Sequence, residues 1–422
     1  MDHSTQDSGA LIRGARCALR LTQGELGVIV GYSASAISRI EGNKMRLDPD
    51  VVPAMAQALG IPAEWLRGAA GPQRPTIATV ATGHRPDPEE DAVRRRNLLT
   101  GAFAAGTTAV IGTGAAAADL DDTLFTLPSA APVPLADLMS RTATARQFYT
   151  AARYHDLARA LPGLLATAEA TRDATTGQEQ HKASAVLARA YVLAAELAFK
   201  QHSDVAWAAA DRALTAARAS GMPVPVGEAS RVLAISMRRS GRWSSAVHLL
   251  TRQAADLDTT APRTRAVRTT LLLTAAYSAA AGGDRTTALA LLDQAEDEVR
   301  RGSETPDGLF TVDATLTQVD VYRIGAFNAL GTPDDGVKVA AGLAVDRMPT
   351  AERRARAWTD TARMWHALGD SRRTFTALRR IEQEAPQEVR RPALQALTSD
   401  LLYGPTRVHG LREFATRTGA LA

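Results

Sequence analysis

One periodicity narrows what this chain can fold into. From about residue 135 to the end, helix positions Tyr149, Tyr191, Ala234, Tyr277, Tyr322 and Trp365 recur at intervals of 42, 43, 43, 45 and 43 residues. Turn signals follow most of them: Ser203-Asp204, Gly241-Arg242, Gly283-Asp284, Gly331 to Asp335, and Gly369-Asp370. A second Ala/Leu-rich helix comes after each turn, for example SSAVHLL or TTALALLDQAE. Two helices repeated at this spacing predict an α-solenoid, because a single pair cannot bury its apolar face and must stack on its neighbours. Roughly six to seven pairs fit residues 135–422.

Composition agrees with an all-helical chain. Of 422 residues, 45% are hydrophobic and 5% aromatic, and the apolar part is mostly Ala, Leu and Val. Ala and Leu favour helix, which argues against an all-β sandwich or barrel. The charged fraction, 22%, is that of a folded protein. A single cysteine, Cys17, can form neither an internal disulfide nor a zinc cage. The eight histidines are scattered and there is no HExxH, so no metal or other cofactor is expected. There is no GxSxG and no GxGxxG after a strand. The segment GGDRTTAL (282–289) lacks the lysine of a phosphate loop and falls at a repeat turn. No enzymatic activity is expected.

Three zones follow. Residues 1–67 have the spacing of a compact helical domain. Residues 68–134 form a linker whose segment GPQRPTIATVATGHRPDPEED holds four prolines and no helical period. Residues 135–422 carry the repeats.

In the first zone, Ile12, Ala15 and Leu19 share one face of a first helix. Thr22 with Glu25 three residues later makes a capping box, so a second helix starts at Gln23 and stops at Gly31. Ser33 caps a third, whose inward face is Ala36, Ile37 and Ile40 and which Gly42 ends. Asp48 or Asp50 begins a fourth, Gly60 stops it, and Pro62 suits the first turn of a fifth. Two short helices joined by a Gly-containing turn inside a five-helix bundle predict a helix-turn-helix.

The segments LTQGEL, GYSASAISRIEG and AQALGIPAEWL resemble the Cro/C1 type (XRE family) of DNA-binding regulators, over residues 9 to 67. The resemblance implies a lambda-repressor-like fold and double-stranded operator DNA as partner. It assigns Gln23 to backbone phosphate. It places Ser33, Ala34, Ser35, Ser38 and Arg39 at the reading helix, with Arg39 the best candidate for a bidentate contact to guanine. Asn43, Lys44 and Arg46 follow in a loop where such proteins meet phosphate. Arg16 and Glu41 match a structural ion pair of the family. Residues 1–67 have seven basic and seven acidic side chains. Since affinity grows with the number of phosphates neutralised, one copy should bind weakly, and a homodimer across two half-sites is expected.

The repeat unit resembles a tetratricopeptide repeat (TPR), best in AYSAAAGGDRTTALALLDQAE, and RYHDLARALPGLL (153–165) resembles the opening repeat of actinobacterial regulators with this architecture. Solenoids present a concave face to partners. Tyr149, Arg153, Arg189, Arg238, Tyr277, Tyr322 and Arg363 are the groove candidates, for an unknown peptide, small molecule or protein. Peptide-pheromone receptors of related architecture grip peptides with asparagines, but only Asn328 lies in these repeats. Residues 94–118, RRRNLLTGAFAAGTTAVIGTGAAAA, look like a twin-arginine export signal, yet they follow a DNA-binding domain and are weakly apolar, so no stable membrane insertion is expected. Together the resemblances lead us to expect a cytoplasmic, dimeric transcription regulator whose repeats sense a ligand or dock a partner. The alternative is an interaction scaffold with vestigial DNA binding.

Overall fold

The structure, a computed structural model, describes residues 8–66 apart from 20, 33, 43, 44, 46, 49, 50, 64 and 65, and residues 124–421 apart from 303–305 and 405. The segment 94–118 lies outside the described residues. The protein is all-α: an amino-terminal helix-turn-helix domain precedes a helical repeat region, and no strand occurs among the described residues.

Among the described residues the first domain has four helices, α1 (Ser8–Ala18), α2 (Gln23–Val30), α3 (Ala34–Glu41) and α4 (Val52–Leu59), and the expected fifth falls largely outside them. Their core is small and aliphatic, with Ile12, Leu26, Ile37, Ile40, Leu47, Met55, Leu59 and Leu66 buried. Two local expectations are corrected. Leu19 lies beyond the end of α1 and is 49% exposed rather than packed. The fourth helix starts at Val52, with Pro in its first turn and Val51 rather than Asp48 at its N-cap, where no side chain caps it; Asp50 lies outside the described residues.

Fourteen further helices make seven consecutive pairs among the described residues. The pairs are α5 (Leu135–Thr150) with α6 (Tyr154–Ala174), α7 (Gly177–Gln201) with α8 (Ala206–Ser220), and α9 (Pro223–Arg239) with α10 (Trp243–Ala255). Then come α11 (Pro262–Ala281) with α12 (Arg285–Arg301), α13 (Leu316–Leu330) with α14 (Asp334–Gly342), α15 (Ala351–Ala367) with α16 (Ser371–Glu384), and α17 (Pro392–Leu402) with α18 (Leu411–Thr418).

The same turn conformation closes the first six pairs. Ala152, His202, Gly241, Gly283, Gly331 and Gly369 all have φ between 56° and 83°. Glycine adopts this left-handed conformation without the Cβ clash that other residues meet. At Gly283 the next residue, Asp284, then caps α12 by accepting from the Thr287 N–H at 3.0 Å. GGDRTTAL is therefore a turn and a helix cap.

Small side chains let the helices approach closely. In α7, Ala183, Ala185, Ala188, Ala190, Ala194, Ala195 and Ala198 are all buried. One apolar cluster joins α5–α9 to Ala355, Ala362, Phe375, Leu378, Leu394 and Phe414 of the last pairs. The solenoid therefore closes on itself.

Candidate nucleic-acid interface and the repeat interior

The turn between α2 and α3 is built from local signals. The Thr22 hydroxyl accepts from the Glu25 N–H at 3.1 Å, and the Glu25 carboxylate accepts from the Thr22 N–H at 2.7 Å. Hydrogen bonding to the Thr22 backbone N–H, and next to the Thr22 side chain, holds the Glu25 carboxyl below its usual value. Gly31, at φ 76°, ends α2 in the left-handed region. Helix α3 then packs Ala36, Ile37 and Ile40 inward, which leaves Arg39 exposed and Ser38 half-buried, its hydroxyl beside the Gly331 turn of the repeat region.

A buried ion pair fixes the tilt of α3 against α1. Arg16 Nε donates to Glu41 Oε1 at 2.5 Å and Nη2 to Oε2 at 3.0 Å, while Nη1 donates to the Leu21 carbonyl at 2.7 Å. Fork geometry satisfies both partners out of water, which a buried pair needs if it is not to destabilise. Gln23 joins this network. It is 4% exposed and its Nε2 donates to Glu41 Oε2 at 2.9 Å. In this conformation Gln23 supports Glu41 rather than reaching out to phosphate. Its Oε1 is buried without a partner.

Of the other reading-helix candidates, Ala34 and Ser35 open α3. Ser33, Asn43, Lys44 and Arg46 lie outside the described residues.

The repeat-region candidates are distributed differently from an open groove. Tyr149 is buried, and its hydroxyl sits 3.5 Å from Glu352 on α15. Arg189 pairs with Glu228 at 2.9 Å. Arg238 lies 4.4 Å from the centre of the half-buried Tyr277 ring, and Tyr322 meets Tyr277 edge-on at 6.4 Å. Arg363 is 3.8 Å from Asp360 on its own helix. Arg153 is the exposed one; it pairs with Asp156 at 2.6 Å and stacks over Phe148. Most of these side chains face the closed interior.

That interior holds a charged cluster which sequence reasoning missed. Lys200 Nζ donates to Glu352 at 2.6 Å and to Glu388 at 3.0 Å, Arg391 pairs with Glu388 at 2.5 Å, and Arg353 pairs with Glu352. Three cations thus face two carboxylates. The surplus charge meets ring faces, since Lys200 Nζ lies 5.8 and 5.4 Å from the ring centres of Tyr149 and Tyr154. Burial alone would raise both carboxyls, but the cations outweigh it. Arg391 and Lys200 hold Glu388 at about 2, and Arg353 and Lys200 hold Glu352 well below the usual range. Burial pushes the Tyr149 and Tyr154 phenols well above theirs. The only sequence signal was the scarcity of lysine, with four in the chain and one of them here.

Among the described residues no cluster of histidine, cysteine and carboxylate side chains suits a metal ion, and no helix is long and apolar enough to cross a membrane.

Residues 12–66 match the family model described as Helix-turn-helix, which makes the amino-terminal domain a helix-turn-helix domain. No curated protein matches the chain. Among solved structures, Bacillus thuringiensis PlcR in complex with the peptide PapR7 and DNA aligns over 85% of this chain and 94% of its own, at 11% identity and a TM-score of 0.35.

Proposed function

We propose that the protein is a sequence-specific DNA-binding transcription regulator of the Cro/C1 type, acting as a cytoplasmic homodimer, with a repeat region that binds a ligand or partner. The observation that carries this reading is the reading helix itself. Helix α3 is anchored by Ile37, Ile40 and the Arg16–Glu41 pair while Arg39 stays exposed. Arg39 thus stands on the exposed face of an anchored helix. Dimerisation supplies the phosphate contacts that one electrically balanced domain lacks.

The test is the salt dependence of binding to duplex DNA with the full chain. Genuine phosphate contacts make the logarithm of affinity fall linearly with the logarithm of salt concentration. A footprint with two half-sites about 34 Å apart is expected of a dimer. Salt-independent binding, or no binding, would favour the scaffold reading. The observations on that side are the balanced charge of residues 1–67 and the inward-turned Gln23.

A further inference from the structure

One non-helical stretch enters the repeat region where a loop does not belong. Connecting segments run over protein surfaces because their backbone groups need water. Between α12 and α13, however, Leu309, Phe310, Thr311 and Val312 are four consecutive buried residues.

Side chains of the repeat helices take the place of water. At the exposed start of the stretch, Arg263 on α11 donates to the Asp307 carbonyl at 2.8 Å. Glu228 on α9 accepts the Phe310 N–H at 2.8 Å. Arg146 on α5 donates to the Thr311 carbonyl at 2.8 Å. The Phe310 ring is held by two guanidiniums, Arg146 and Arg189, each 5.1 Å from its centre. Glu228 in turn fixes Arg189.

This wall grips main chain and one aromatic ring. Groups that bind backbone N–H and C=O are indifferent to sequence, while a side-chain seat supplies selectivity. Behind the seat, Glu196 accepts from Arg231 at 3.0 Å and its Oε2 faces Arg146 in an ion pair at 3.6 Å, beside a cavity of about 20 Å³ between Arg146, Glu196, Thr311 and Asp313. That is room for about one water molecule.

We propose that Arg146, Arg189 and Glu228 form a binding site for an extended peptide bearing an aromatic side chain, and that Gly308–Val312 of the chain itself is its resident occupant. The proposal rests on the reading of the repeat region as the ligand-binding part, and it names the ligand's chemistry. A tethered occupant competes at an effective concentration on the order of millimolar. A free peptide therefore enters only when it outbids the strap or the strap is weakened.

The probe is a fluorescent peptide with the sequence of residues 306–314, titrated into the full-length protein without DNA. Phe310→Ala should raise its affinity at least about tenfold over wild type. Adding Glu228→Gln should remove about a tenfold factor again. A peptide lacking its phenylalanine should not bind. If Phe310→Ala fails to fold, Phe310→Leu keeps the burial and removes the ring. If neither folds, exchange of the Phe310 N–H in wild type should accelerate under excess peptide. The proposal is overturned if the folded variants bind the peptide no better than wild type, if binding ignores the peptide's phenylalanine, or if that exchange is unchanged. Since no DNA enters the measurement, such a result leaves the DNA-reading proposal standing.

Discussion

The two helical regions handle buried charge in different ways. In the amino-terminal domain a buried fork-shaped pair, Arg16–Glu41, spans 25 residues and locks one helix against another. In the repeat region Lys200, Glu352, Glu388, Arg353 and Arg391 form a cluster whose members meet across 152 to 191 positions of chain. The first pair sets a local angle. The second cluster ties the beginning of the solenoid to its end, and so turns a stack of pairs into a closed body.

That difference can be broken from either side. The largest effect should come from Glu388→Ala, which leaves Lys200 and Arg391 buried with one carboxylate between three cations. Removing one partner of a buried pair costs about 3–5 kcal/mol. Thermal unfolding should show the repeat region falling while the helix-turn-helix domain keeps its own transition. Unchanged melting would mean that the cluster does not hold the ring closed.

Acid should act on the same cluster. The Glu352 and Glu388 carboxyls titrate lower in the folded protein than in the unfolded chain. The stability they contribute is therefore present above about pH 4.5 and lost as pH falls from there toward about 2. A repeat region that keeps its helical signal and stability unchanged through that window would contradict the assignment.

Arg16→Met is the counterpart in the small domain. It strands Glu41 and should cost about 3 kcal/mol, near the lower end for a buried pair. A domain of this size has little stability to lose, so DNA binding should vanish along with the first melting transition.

The smallest pair of changes sharpens the comparison. Gly31 and Gly283 both have positive φ, and an added Cβ would meet nothing within 4 Å at either. Replacing each with alanine should cost only the backbone strain, about 1 kcal/mol. The same increment should lower the small domain's Tm by about 4–8 °C and that of the repeat region by about half as much or less. Equal shifts would mean that the two regions unfold as one unit.

What could be read from sequence follows the range of the interactions. Thr22, Glu25 and Gly31 were legible because a capping box and a left-handed turn are complete within a few residues. The helical period likewise exposed Ala36, Ile37 and Ile40 as the inward face of α3. Leu19 was misjudged because the same period runs on past Ala18, where the helix ends. The repeat spacing predicts six to seven stacked pairs but not the superhelix they trace. Whether Tyr149 and Tyr322 face an open groove or a closed interior depends on that path. Lys200 could not be matched to Glu352 and Glu388 for the same reason. The strap at Gly308–Val312 reads as an ordinary loop, since the burial of Leu309 to Val312 depends on helices far away in sequence. Gln23 shows a finer limit: its position fits a phosphate contact, but a neighbouring carboxylate claims its amide.

The most direct test of the central claim is a selection from random duplex DNA with the full-length protein at physiological salt, run beside Arg39→Ala. The account predicts an enriched two-fold-symmetric sequence that the variant loses or binds about 10- to 100-fold more weakly. No enrichment by the intact protein, or the same sequence enriched equally by Arg39→Ala, would contradict it.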